Sequence, residues 1–225
     1  MARPPRAARG GIVYHVLNRA NARQQIFESE LDYAAFMKVL REGQKKFHMR
    51  ILAYCIMPNH WHLILWPLHD DDLSQFTGWI TFTHSERRHA HRHTTGTGHL
   101  YQDRFKSFPV QTDEHLLTVC RYVERNGLRA GLVERAEEWK WSSLWLREHG
   151  TEKELSLLEE GPTPKPSNWI SWVNHPHTSS ELDSLRLSIT RGRPFGAINW
   201  VEETAEQLGL ISTLRERGRP KTDEG

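Results

Sequence analysis

The chain has 225 residues, of which 37% are hydrophobic, with nine Trp and a mean hydropathy of −0.66. That length can bury one sizeable core and carry a smaller appendage. No apolar stretch reaches bilayer length and the start Met1–Arg6 leads into no signal-type run, so the expectation is a cytoplasmic protein without membrane contact. Cys55 and Cys120 are the only cysteines, both in apolar neighbourhoods, which excludes a disulfide framework and a cysteine-built zinc knuckle. The net charge of +2 hides an uneven division, because residues 1–131 hold 18 Lys/Arg against 12 Asp/Glu while residues 132–225 hold 12 against 16. A basic front segment suits a polyanion, since phosphates supply most of the affinity for a nucleic acid.

In chain order, Gly11–Leu17 is β-branched and apolar enough for a first strand, and 28–46 repeats apolar residues at helical spacing. Arg50–Met57 and His60–Trp66 form a hairpin about the tight turn Pro58-Asn59. A second helix spans 73–92 with Asp72 as its cap, Thr94–Gly98 is a loop, and 104–111 is a fourth strand with Pro109 marking an edge. A third helix runs from 113 to about Asn126, where Gly127 stops it. The order strand, helix, strand, strand, helix, strand, helix predicts an α+β fold, a ferredoxin-like antiparallel sheet with helices on one face. A tyrosine-bearing helix and a small, mostly helical C-terminal appendage complete it. The domain division expected is 1–149 for the main body, 150–168 as a Pro- and Ser-containing linker, and 169–225 as the appendage.

Within His60-Trp61-His62, alternate strand residues leave one face, so two imidazoles can converge on one divalent ion while Trp61, Leu63 and Leu65 face a core. The plainer alternative is a pair of satisfied core histidines. Tyr122 and Asn126 lie four apart on the third helix and share a face, where a phenol beside a two-histidine metal site is a device for nucleophilic attack. For Asn126 the competing role is a helix C-cap. His89, His91 and His93 lie with His84 near the end of the second helix, where His89 and His93 share a face and could bind zinc, but Arg87, Arg88 and Arg92 favour a solvated basic end.

These features together resemble the single-tyrosine HUH transposases, most closely the REP-associated tyrosine transposases. The resemblance is carried by His15-Val16-Leu17-Asn18-Arg19, Met57-Pro58-Asn59-His60-Trp61-His62, Gln102-Asp103-Arg104-Phe105-Lys106 and Tyr122–Val133. It extends into the tail through Arg191–Gly196 and Ser212–Pro220. It implies a metal-dependent DNA endonuclease and strand transferase in which His60 and His62 hold Mg2+ or Mn2+ and Tyr122 becomes joined to a 5′ phosphate. Asn126 would complete the ion's shell, although Gly127 stands where the family usually has proline. The implied partner is single-stranded or hairpin DNA of REP-type palindromes, bound by a monomer or homodimer with no nucleotide cofactor, so that the protein joins the nucleoid when DNA-bound. Phosphate contacts are expected from Arg19, Arg104 and Lys106. The repeated Arg-Gly-Arg-Pro adds Arg191, Arg193, Arg217 and Arg219, a pattern resembling the core of an AT-hook. Two rival functions stay open at this point, a non-catalytic DNA-binding regulator and a metal hydrolase that uses water.

Overall fold

The structure is a computed structural model that describes residues 8–96 and 98–215. Four strands, β1 (Val13–Arg19), β2 (Arg50–Met57), β3 (His60–Trp66) and β4 (Lys106–Val110), form one sheet in the order β2-β3-β1-β4. Every neighbouring pair is antiparallel. With α1 (Glu30–Phe47) following β1 and α2 (Asp72–Arg92) following β3, this is the ferredoxin-like arrangement the strand order predicts.

The period-2 alternation of the strands divides the core into two layers. Tyr14 and Val16, Trp61, Leu63 and Leu65, and Ile51, Tyr54 and Ile56 pack under α1 and α2 in one buried cluster. Helix α1 starts with a capping box between Ser29 and Asp32 and buries Tyr33, Phe36, Val39 and Leu40 against the sheet. Gly43 brings the two helices together, since a Cβ there would lie 2.8 Å from Ile80 Cγ2. The cap of α2 is Asp71, in the left-handed region at φ 68°, and not Asp72, whose carboxylate accepts from the His69 amide at 2.8 Å.

The opposite sheet face is covered as well. Val13, Ile64, Phe108 and Val110 pack with Leu116, Val119 and Val123 of α3 (Glu114–Glu124) in a second buried cluster. A kink at Arg125 separates α3 from the short α4 (Asn126–Arg129), so Gly127 lies inside a helix and does not end one. Its lack of a side chain makes room for Trp139, whose Cγ would stand 2.6 Å from an added Cβ. Trp139 in turn donates its indole N–H to the Ile56 carbonyl at 3.0 Å.

Helices α5 (Ser143–His149) and α6 (Glu152–Leu155) lead into the stretch that composition marks as a linker. It lies against the sheet body: Leu157 is fully buried, the Glu159 amide donates to Ile51 O at 2.9 Å and Thr163 Oγ1 donates to Thr112 O at 3.0 Å. The C-terminal part contributes α7 (Trp169–Asn174), α8 (Ser179–Arg191) and α9 (Ile198–Gln207). Trp169, Val173, Leu185 and Phe195 enter the second cluster, so these helices share a core with the tyrosine-bearing helix. Among the described residues, no helix is long and apolar enough to cross a membrane.

Candidate metal and tyrosine site

On β3, His60 stands opposite Arg19 and His62 opposite Leu17, with Trp61 turned into the helix-side core. The two histidine rings lie 4.9 Å apart, centroid to centroid, on the α3 face of the sheet. His60 Nδ1 is 2.6 Å from Asn59 Oδ1. The Asn59 amide is oriented from its other end, where Nδ2 donates to Arg23 O at 3.1 Å. Arg23 and its neighbour Ala22 are both left-handed, at φ 56° and 51°, a local strain of about 1 kcal/mol or more each that delivers this carbonyl. His62 Nδ1 is 2.8 Å from Nε2 of His15, whose ring stacks on it at 5.1 Å.

All three imidazoles are held neutral. Burial pushes His15 down to about 3, and burial followed by the charges of Arg19 and Arg129 brings His60 to about 3. Burial, with His60 and His15 next, carries His62 well below its ordinary value. A metal needs a bare imidazole nitrogen, so these rings are ligand-ready at any ordinary pH.

Tyr122 comes from the face of α3 that also buries Val119 and Val123. It is only 6% exposed, and its ring meets His62 edge-on at 5.9 Å, His15 at 6.4 Å and His177 at 6.0 Å. The Arg129 guanidinium lies over the same ring, 4.5 Å from its centroid. The structure therefore brings Tyr122 beside His62 of its own chain. Asn126 is buried one turn on. Its Nδ2 donates to Tyr122 O at 3.0 Å and Val123 O at 3.2 Å, and its Oδ1 accepts from Arg129 at 2.6 Å. The Asn126 oxygen is thus engaged by a guanidinium, and an ion would have to take its second lone pair beside that positive charge.

The basic candidates fall in different places. Arg19 is half-buried beside His60, and its Nε is buried without a hydrogen-bond partner among the described residues. Lys106 is exposed opposite Leu17, on the Tyr122 side of the sheet. Arg104 precedes β4, so the two do not alternate on one strand; Arg104 borders a hollow beside Phe82 and Glu86 of α2. Arg191 and Arg193 flank left-handed Gly192, which lies against the Ser107 carbonyl. From there the chain reaches Phe195, whose amide donates to Pro109 O at 2.9 Å, so the first Arg-Gly-Arg-Pro is docked along the β4 edge. Arg217 and Arg219 lie outside the described residues.

Two other histidine groups have structural explanations. His84 is buried, 2.7 Å from the Tyr101 hydroxyl, and His89 pairs with Thr94, so the end of α2 gathers no zinc set. Asp113, Glu114 and His115 bring ligand-type atoms within 4.8 Å of one another, but Asp113 caps α3 through the His115 amide and pairs with its ring, each at 2.8 Å.

His15, Asn59, Arg129 and His177 are the residues that reading the sequence leaves out of the site. His15 carried the same signal as His60 and His62, an imidazole on an apolar strand. Asn59 looked like a turn residue, and neither Arg129 nor His177 gave any sign.

The sheet thus sets the paired histidines beside a helix tyrosine. Residues 9–126 match the family described as "Transposase IS200 like". The chain belongs to that family. Comparison with curated proteins gives no match. Among solved structures, a REP-associated tyrosine transposase bound to a REP hairpin is similar with a TM-score of 0.53 at 18% identity, covering 80% of this chain and 100% of that one. A structure described as "a putative transposase from deinococcus radiodurans r1" covers 58% of this chain and 92% of its own at 17% identity; its TM-score of 0.37 is too low to carry weight.

Proposed function

We propose that this chain is a metal-dependent single-stranded DNA endonuclease and strand transferase, acting on REP-type hairpin DNA through a 5′-phosphotyrosine at Tyr122. The observation that carries this reading is the juxtaposition of the Tyr122 ring with His62, next to His60, in one chain. The donor set fits a divalent ion: two neutral imidazoles, each with Nδ1 in contact with a neighbour, have Nε2 as the remaining ring nitrogen. Imidazole nitrogen suits Mn2+ better than Mg2+, which prefers oxygen. When bound, the ion supplies Lewis-acid charge to a non-bridging phosphate oxygen.

The protein's own residues do the rest. The Tyr122 oxygen attacks phosphorus, the phenol proton passes to water, the bond to the 3′ oxygen breaks, and that oxygen leaves as a hydroxyl after taking a proton from water. A new phosphotyrosine ester replaces the phosphodiester, so a later 3′ hydroxyl can reverse the exchange without a nucleotide cofactor. The Arg129 guanidinium stacked over the phenol ring holds that ring in place beside the histidines. Arg19 and Lys106, both on the site's side of the sheet, are placed to take up phosphates, and Arg191 and Arg193 extend the basic edge.

The test is incubation of the full chain with labelled hairpin DNA and Mn2+, followed by denaturing electrophoresis. The wild type should give a denaturation-resistant complex, and Tyr122→Phe should lose it while still binding the hairpin. Cleavage retained by Tyr122→Phe would identify a water-using hydrolase instead. Binding without cleavage by the wild type would identify a regulator.

A further inference from the structure

We propose that His15 and Asn59 are positioning residues that lock His62 and His60 in the Nδ1–H tautomer, so that both rings offer a bare Nε2 to the same ion. This rests on the metal reading above and assigns to two residues the task of orienting the ligands.

The assignment for His60 follows from a chain of donors. Arg23 O can only accept, so the Asn59 nitrogen must face it and Asn59 Oδ1 must face His60. An amide oxygen is an acceptor, so the proton in the 2.6 Å contact sits on His60 Nδ1. A neutral ring protonated there has its free lone pair on Nε2.

For His62 the partner is another imidazole, 2.8 Å away, and the two rings share one proton between Nδ1 of His62 and Nε2 of His15. If His15 donated, His62 would carry its proton on Nε2 and could not ligate. If His62 donates, Nε2 is bare and His15 holds its own proton on Nδ1. That Nδ1 is buried without a hydrogen-bond partner among the described residues in either case, so the choice is decided at His62 Nε2, where an ion requires a lone pair. The two orienters come from different elements, Asn59 from the β2–β3 turn and His15 from β1, so each ring is clamped from its own side. Phe108 packs on the far side of His15 at 4.8 Å and keeps its ring from turning away.

The experiment measures Mn2+ binding to the DNA-free full chain by calorimetry, for wild type, His62→Ala, His15→Phe, His15→Gln and Asn59→Ala. Phenylalanine fills the His15 volume without an acceptor, and glutamine restores one near the position of Nε2. Folding is checked by circular dichroism. His15→Phe and Asn59→Ala should each weaken Mn2+ about ten- to a hundredfold, with His15→Gln recovering most of the loss. Nitrogen NMR of the Mg2+-saturated wild type should show protons on Nδ1 and none on Nε2 of His60 and His62.

If His62→Ala binds Mn2+ like the wild type, the metal reading itself fails. If His62→Ala loses the ion while folded His15→Phe keeps wild-type affinity, the positioning role of His15 is overturned and the metal reading survives. Failure of His15→Gln to recover affinity overturns the hydrogen-bond explanation. Should His15→Phe not fold, the NMR result decides, and a proton on His62 Nε2 in the Mg2+ form refutes the proposal.

Discussion

Acid should destabilise this protein sharply in the range where its histidines would titrate if exposed. His15, His60 and His84 are each brought by burial from 6.5 to about 3 in the folded chain. Between these values the unfolded chain binds protons that the folded chain refuses, so the stability these rings contribute is complete above about pH 6.5 and lost as pH falls toward 3. Going from pH 8 to pH 5 costs about 2 kcal/mol for each such ring, or about 6 kcal/mol for the three. That is comparable with the whole stability of an ordinary domain, about 5–15 kcal/mol. His62, lowered in the same direction, deepens the loss. The assay is urea unfolding followed by tryptophan fluorescence at pH 8, 6.5, 5.5 and 5 in the presence of a chelator. Replacing His84, which lies against Tyr101 and away from His60 and His62, with Gln should reduce the fall by about 2 kcal/mol. Stability that stays level from pH 8 to pH 5 would refute the reasoning, because it would mean that the rings are not buried neutral.

Two further outcomes follow from the C-terminal part. Arg121, almost fully buried beside Tyr122, makes a two-pronged ion pair with Glu181 at 2.9 Å and lies over Trp172 at 4.7 Å. Glu181→Ala should therefore lower stability by about 2 kcal/mol in urea titration, less than a fully buried pair would lose because Glu181 is 31% exposed; an unchanged midpoint would show that the latch contributes nothing. Removing residues 216–225, and with them Arg217 and Arg219, should weaken hairpin binding and reduce the slope of log affinity against log salt by about 2, as read by fluorescence anisotropy. An unaltered slope would show that these arginines do not touch phosphate.

The sheet and its helix-side core were legible because one face of each strand alternates cleanly, as in Trp61, Leu63 and Leu65, and because α1 repeats its apolar residues at helical spacing. The hairpin about Pro58-Asn59 was legible for the same reason, and it placed His60 and His62 on one face. The second core was not. Trp169 and Phe195 lie in polar, proline-containing surroundings, and only long-range packing shows that they cover the sheet. Gly127 looked like a helix stop because its partner Trp139 is distant in local pattern, and the glycine's purpose is that contact. Of the candidate site, the two strand histidines and the helix tyrosine were legible, and the groups packed around them were not. His60, His62 and Tyr122 announce chemistry by residue type, whereas the Asn126 contact with Arg129 depends on the kink at Arg125.

The most direct test of the account is to map the covalent link. The DNA adduct formed with Mn2+ is digested with nuclease and then with trypsin, which cuts after Arg121 and Arg125, and the peptides are weighed by mass spectrometry. The account predicts a nucleotide-bearing Tyr122-Val123-Glu124-Arg125 fragment joined through the tyrosine oxygen. DNA cleaved with that peptide unmodified, or an adduct carried by any other residue, would contradict it.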